Sequence, residues 1–363
     1  MKRNLSVWLT ALAVAVVTFL LCFFQPLYTV DKMLADTLYQ RPSGASSNIR
    51  IIAIDEKTLD ALGPFNTWNR DISARLVEAL SEDPDAMPAV IALDILYISD
   101  MDPESDARFA EACRKAGNVI TAANLVYEEA VLDDGRGGLY VDQSHIGMVE
   151  KPFEALEEVS KYGFANTVQD QDGYIRQAMA YADTEEGTVY SLAWQIYADY
   201  MEYLGEEPHM PELYSGSRFD FLYSGKSGAY ETVSLIDVLE GRVDVRTFKD
   251  CIVMVGAYAP GMQDAYNVAV QRGEQMYGVE IHANIVNALL QGKTAQPAPE
   301  LLSSLVMAAA AAGFFLLIRR MKVPAAAALL AVLIAAELLL GTWLFSRGWI
   351  LHLISLPLVL IVV

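Results

Sequence analysis

The stretch from Cys251 to Gln291 reads CIVMVGAYAPGMQDAYNVAVQRGEQMYGVEIHANIVNALLQ, and its two halves require different backbone geometry. Ile252-Val253-Met254-Val255 is a continuous apolar run closed by Gly256. A run without alternation suits a strand buried on both faces, as in a parallel sheet covered by helices, better than a half-wet strand. From Gly278 the pattern becomes helical. At about 100° per residue, Glu280, Asn284, Asn287 and Gln291 fall in a stripe about 60° wide. Ile281, Ile285, Val286, Leu289 and Leu290 occupy the remaining side, and His282 falls among them. The stretch is therefore expected to be the centre of an α/β domain.

Working outward, Ile49 to Ile54 and Ala89 to Leu93 read as two further buried strands, closed by Asp55 and Asp94. A helix is expected over Asp71 to Leu80. A second has clear punctuation: Asp102 as N-cap, Pro103 at the first helical position and Gly117 just past the end. Val119 to Ala123 follows as a third strand, and the strand–helix alternation argues for a right-handed, mostly parallel sheet with helices on both faces. Tyr127 to Gln143 is acidic and glycine-rich and reads as a solvated loop. Asp170-Gln171-Asp172-Gly173 between two strand-like runs reads as a hairpin turn, because Asp-Gly readily supplies positive φ. Val189 to Leu204 reads as an amphipathic helix, Phe219 to Tyr223 as a strand, and Ser234 as the cap of a short helix with Asp237 three residues on.

The ends of the chain are of another kind. Val7 to Phe24 gives 18 nearly uninterrupted apolar residues, Leu301 to Ile318 another 18 and Pro324 to Phe345 22, each near the ~20 that span a bilayer. Trp349 to Val363 is also apolar and reads as a fourth spanning helix cut short. Phe23-Phe24-Gln25-Pro26 is a poor cleavage site, so residues 1–24 are expected to stay as an anchor. Lys2 and Arg3 precede the first span, and Arg319, Arg320 and Lys322 crowd the loop between the second and third, so both are expected in the cytoplasm. Residues 25–300 are then extracytoplasmic, and residues 301–363 carry three membrane helices, making an all-α membrane part of four. The expected location is the plasma membrane, multi-pass.

Residues 25–300 hold 20 Lys and Arg against 45 Asp and Glu, a formal charge of −25, which argues against nucleic acid as a partner. Cys113 and Cys251 read as small core residues and not as a disulfide pair. Ligands of open parallel sheets bind beyond the carboxyl ends of the strands, where Asp55, Asp94 and Gly256 all fall, with Asp264 in the adjoining loop. One reading brings the three carboxylates together on a rim that holds a hard cation or a polar ligand, with Trp68 and Arg70 as a lid. The other leaves Asp55 as a helix cap, Asp94 fixing a loop and Asp264 solvated. His282 reads as a hydrogen-bonded core residue before a ligand or proton sensor, and Asp172 with Arg176 as a hairpin pair before a ligand clamp. The middle segment has three histidines and no nucleophile–base spacing, so a hydrolase has little support. Glu337 in the third span is costly in lipid and should face another helix.

Taken in order, several features make residues 28–292 resemble the CHASE type 2 extracytoplasmic sensor domain. They are Asp31 after the first span, Ile49 to Asp55, Trp68 with Arg70, Val90 to Asp94, Asp172-Gly173 with Arg176, Val253 to Ala257 with Asp264, and Gly278, Glu280, His282 and Asn284. Thr67 and Asn69 stand where that family usually has proline. The resemblance implies one span before the domain and three after, and a junction to a cytoplasmic adenylate or guanylate cyclase, a histidine kinase or a serine/threonine kinase. It implies a receptor for an extracytoplasmic ligand, with no cofactor specified, and transmission by helix shifts makes a homodimer the expected assembly. The rival is a membrane scaffold or transport-associated protein whose outer domain only docks.

Overall fold

The computed structural model describes residues 2–133 and 139–362, and the chain divides into two compact units, residues 42–293 and residues 1–41 with 294–363. Residues 25–41 and 294–300, assigned with the outer segment by hydropathy, therefore pack within the helical unit.

The larger unit is built on a sheet whose spatial order is Glu231–Ser234, Ile49–Ile54, Ile252–Ala257, Val90–Leu96 and Val119–Asp133, all parallel. Lys161–Phe164 adds to the near half of the last strand in parallel, and Leu139–Glu150 pairs antiparallel with its far half. The run read as central is central: every residue of Ile252–Ala257 is buried, with Met254 opposite Ile51 on one side and Ala92 on the other. Alternate residues of each strand feed two cores. Ile52, Ile54, Val253 and Val255 pack with the helices Asp71–Leu80, Pro103–Ala116 and Leu235–Leu239. Ile49, Ile51, Ile252 and Met254 pack with Leu192–Leu204 and Gly278–Leu290. Cys113 and Cys251 are both buried, and Cys113 belongs to the first of these cores.

A second layer covers the Gly278–Leu290 helix. Met276–Tyr277, Ala265–Val268, Tyr174–Met179 and Arg218–Phe221 form a mixed sheet in that order, and Ile175, Phe219, Phe221, Val268 and Met276 enter the same core as the helix. The helix therefore lies between two sheets, and its polar stripe is not solvated: Glu280, Asn284 and Asn287 are all buried. Room for it comes from Gly256, where an added Cβ would stand 2.8 Å from Val279 Cβ and 3.3 Å from Asp94 Cβ.

Three readings are corrected. Tyr127 to Gln143 is not a loop but the arms of a long hairpin, Val119–Asp133 with Leu139–Glu150, because backbone pairing between the arms satisfies the polar groups that acidic side chains alone leave open; residues 134–138 lie outside the described residues. The helix read from Val189 starts at Leu192. Ser191 caps it by accepting from Trp194 N–H, while Val189 and Tyr190 pair as strand with Tyr181 and Ala182. Ser234 does not cap with its side chain, which donates instead to Asp55.

In the helical unit, Leu5–Phe24, Glu300–Ile318 and Val323–Phe345 are long and apolar enough to cross a bilayer, and large apolar side chains such as Leu5, Trp8, Leu302 and Leu339 lie bare on their surfaces. Trp349 to Val363 is not one helix: Trp349–Ile350 pairs in parallel with Thr294–Pro297, and the helical part is Ser355–Val362. Leu351 and Leu353 between them fill this unit's core, which a regular helix from Trp349 would not allow at that spacing.

Gly256→Ala is expected to lower the thermal unfolding midpoint of the purified chain, at a cost of about 1–3 kcal/mol, because the central strand or the Val279 helix must give way. An unchanged melt by circular dichroism would show that the helix is free to retreat.

Candidate functional site

Each sequence-read candidate has a definite place. Asp55 accepts from Thr58 N–H at 2.9 Å, Thr58 Oγ1 at 2.7 Å and Ser234 Oγ at 2.7 Å, so it caps Glu56–Leu62 and ties that turn to the neighbouring strand. It does not line the cleft described below, and the three-carboxylate rim is not formed. The reason is local: a helix begins directly after the strand, and its free N–H groups take the carboxylate.

Trp68 is buried, donates to the Gly63 carbonyl at 2.9 Å and meets Phe65 edge-on. Arg70 is buried as well, paired with Asp106 at 2.8 Å, donating to the Ser99 carbonyl and lying 4.0 Å from the Phe153 ring centre. Neither forms a lid. Asp172 and Arg176 form a hairpin pair, and Asp170 of the same turn shares the buried guanidinium, which lies 2.8 Å from each aspartate. Gly173 takes φ +79° in that turn.

Asp94 and Asp264 do come together. They line one cleft of about 530 Å³ at the carboxyl edge of the main sheet, with Phe65, Leu96, Asn124, Asn166, Tyr266, Gly278 and His282. That volume is in the range of small-molecule sites. Gly278 lets the second carboxylate in, since a Cβ there would lie 2.4 Å from Asp264 Oδ2. Gly256 stands behind Asp94 in register and does not line the cleft.

The Gly278–Asn284 motif thus divides its labour by helix face. Glu280 accepts from Gly228 N–H at 2.6 Å and Ser227 Oγ at 3.0 Å, and Asn284 accepts from Ser224 N–H at 2.9 Å and Gly225 N–H at 3.1 Å. These two fasten the 224–228 loop. His282 lines the cleft, the Ala165 backbone favours its charged form, and its enclosed Nδ1 has no partner among the described residues. The expected burial is found.

Burial dominates the electrostatics of the cleft. Burial pushes Asp94 up to about 7, and it has no hydrogen-bond partner among the described residues that would lower it. Asp264 is raised by burial first and by the Asp94 charge second, against the lowering effects of His282, Tyr266 and the Gly278 N–H. Burial lowers His282, with Asp264 opposing. No group of three or more His, Cys, Asp or Glu positioned to hold a metal ion occurs among the described residues, so the hard-cation reading gains no support. Tyr266, Asn166 and Thr167 escaped sequence reading. Only the closeness of Tyr266 to Asp264 in the chain marked it.

In the helical unit, Asp31 forms a second convergence. Its carboxylate accepts from Leu353 N–H at 2.6 Å, Ile354 N–H at 2.9 Å and His352 Nδ1 at 2.7 Å, joining the Tyr28–Tyr39 helix to the segment before Ser355–Val362. The other ring nitrogen of His352 lies 2.9 Å from Gln25 Nε2. Glu337 is buried as expected, but neither carboxyl oxygen has a partner among the described residues.

Asp94 makes a pH-dependent prediction. A carboxyl whose folded pKa is raised binds its proton more tightly in the folded chain, so its cost is absent below about pH 4, grows above it and is complete above about pH 7. Asp94→Asn should therefore stabilise by about 1–3 kcal/mol at pH 8 and leave stability unchanged at pH 4. Melting curves across that range check it; a gain independent of pH would overturn the assignment.

No curated protein and no solved structure matches the chain. The model of the CHASE2 domain matches residues 10–318, from inside the first apolar helix to the end of Glu300–Ile318, and so takes in the larger unit together with the helices on either side of it. With most of its length matched, the chain belongs to the CHASE2 domain family, a family of extracytoplasmic sensory domains.

Proposed function

We propose that this protein is a membrane-bound sensor that detects an extracytoplasmic stimulus at the Asp94–Asp264 cleft and passes it through its membrane helices to a cytoplasmic output domain. The observation that carries this reading is the family match across residues 10–318, which joins the sensory domain to its two flanking apolar helices. The cleft supports it, because a domain that only docks has no use for two carboxyls held together in an enclosed space at a cost to stability.

In this reading the N-terminus is cytoplasmic, the larger unit lies outside, and a fourth crossing, of which Ser355–Val362 is the start, returns the chain to the cytoplasm. The basic loop Arg319 to Lys322 is then inside. The output is an adenylate or guanylate cyclase, with a kinase as the next choice. A stimulus that moves the Gly278–Leu290 helix acts on the chain leading into Glu300–Ile318. Asp31 couples the exit of the first span to the segment before the last helix, so that these elements shift together. Packed helices have few discrete arrangements, and two copies side by side turn such a shift into a change of their cytoplasmic ends.

Topology is tested by cysteine labelling in intact cells. A cysteine at Asp60, which is exposed on the larger unit, should react with a membrane-impermeant maleimide, and one at Lys322 only after lysis. The reverse pattern would sink the reading. Asp31→Ala removes the acceptor of three donors and should cost about 1–3 kcal/mol. With about twelve further apolar residues and then a nucleotide cyclase joined after Val363, it should abolish the stimulus-dependent change in activity while the chain still inserts; a full response in that variant would remove Asp31 from the route.

A further inference from the structure

The cleft has a chemical bias that its sensory role does not by itself require. Asp94 makes no hydrogen bond to another described residue. Gly278 N–H donates to the Asp264 main-chain carbonyl at 3.1 Å, and the Asp264 carboxylate, whose charge Tyr266 favours, has about four lone-pair sites, so capacity remains. His282 lines the cleft as well, and its enclosed Nδ1 has no partner among the described residues. The two open carboxylates are acceptors. Two amides that line the same space are already committed: Asn166 Nδ2 donates to Asn124 Oδ1 at 3.0 Å and Asn124 Nδ2 to Glu150 at 2.7 Å. No Lys or Arg is among the described lining residues.

From these groups we infer that the cleft binds a small organic ammonium ion that carries no carboxylate. Up to three N–H donors on one nitrogen meet the free lone pairs of the two carboxylates, and its charge answers Asp94 and Asp264, which otherwise repel each other. The rings of Phe65, Tyr127 and Tyr266 add faces that attract a cation, and Leu96 with Met262 offers an apolar wall for the ligand's body. A zwitterionic amino acid is disfavoured, because its carboxylate would enter a cleft that already holds two and has no cation to meet it. A bare divalent cation is disfavoured by the lack of a metal-binding cluster among the described residues.

This inference rests on the reading of the cleft as the stimulus site, and the test separates the two. The full chain is placed in lipid nanodiscs at about pH 8, where the amine is still protonated, and its unfolding midpoint is followed with 2-phenylethylammonium, phenylalanine, 3-phenylpropionate and Ca²⁺. The ammonium compound should raise the midpoint in a concentration-dependent way, phenylalanine should need at least about tenfold more, and the other two should do nothing. Asp94→Asn and Asp264→Asn should each weaken the ammonium effect about tenfold, while Glu104→Gln on the exposed surface leaves it intact. The proposal is overturned by no shift with 2-phenylethylammonium up to about 10 mM, or by a shift that survives both Asp variants. If 3-phenylpropionate binds instead and Leu96→Trp blocks it, the ligand class fails and the cleft reading stands. If the ammonium shift persists in Leu96→Trp, the cleft reading fails with it.

Discussion

Everything in the larger unit depends on how closely the Gly278–Leu290 helix approaches the central strand. At Gly256 only a hydrogen faces Val279, and an added Cβ would stand 2.8 Å from the valine Cβ. That approach draws a helix with three polar residues into the space between two sheets, where each polar group must find a partner or remain costly. Glu280 and Asn284 find theirs in the backbone of the 224–228 loop. A buried carboxylate and a buried amide thus convert the position of the helix into the position of a loop, and the loop cannot be remade without moving the helix.

The same helix start makes the cleft. Gly278 lacks the Cβ that would collide with Asp264, so the carboxylate can turn toward Asp94, and His282 one turn later closes the floor. Groups of like charge in a partly dry space raise one another's proton affinity, as Asp264 shows beside Asp94. No Lys or Arg among the described lining residues offsets that cost, although Arg70 and Arg176 elsewhere are each paired with aspartate. Sites that bind something are where such imbalance is expected, because an arriving ligand supplies the missing partner.

The helical unit uses the opposite arrangement. Asp31 is buried, and three donors meet it, two of them backbone N–H groups that burial would otherwise leave unsatisfied. The extended segment Trp349–Ile350 and the residues after it are tolerable there because strand pairing with Thr294–Pro297 and the Asp31 carboxylate take up their polar groups. Glu337 is the exception, buried with neither oxygen partnered among the described residues.

Short-range chemistry made much of this readable from the sequence alone. Ile49–Ile54 and Asp71–Leu80 stand where the pattern places them, and the Asp102, Pro103 and Gly117 punctuation bounds its helix, because apolar runs, caps and left-handed glycines act within a few residues. The Asp170–Gly173 turn and the burial of His282 were legible for the same reason. Tertiary structure alone decided which aspartates meet. Asp55 and Asp94 follow similar strands, yet Asp55 is taken by the helix that starts beside it, while Asp94 stands in register with Gly256 and beneath the start of the Gly278 helix. Strand order, with Ile252–Ala257 inserted between Ile49–Ile54 and Val90–Leu96, is a long-range property that no window of sequence contains. Nor could any window show that Arg70 faces Asp106 or that Asp31 reaches His352, since such pairs exist only once distant backbone has been brought together by packing.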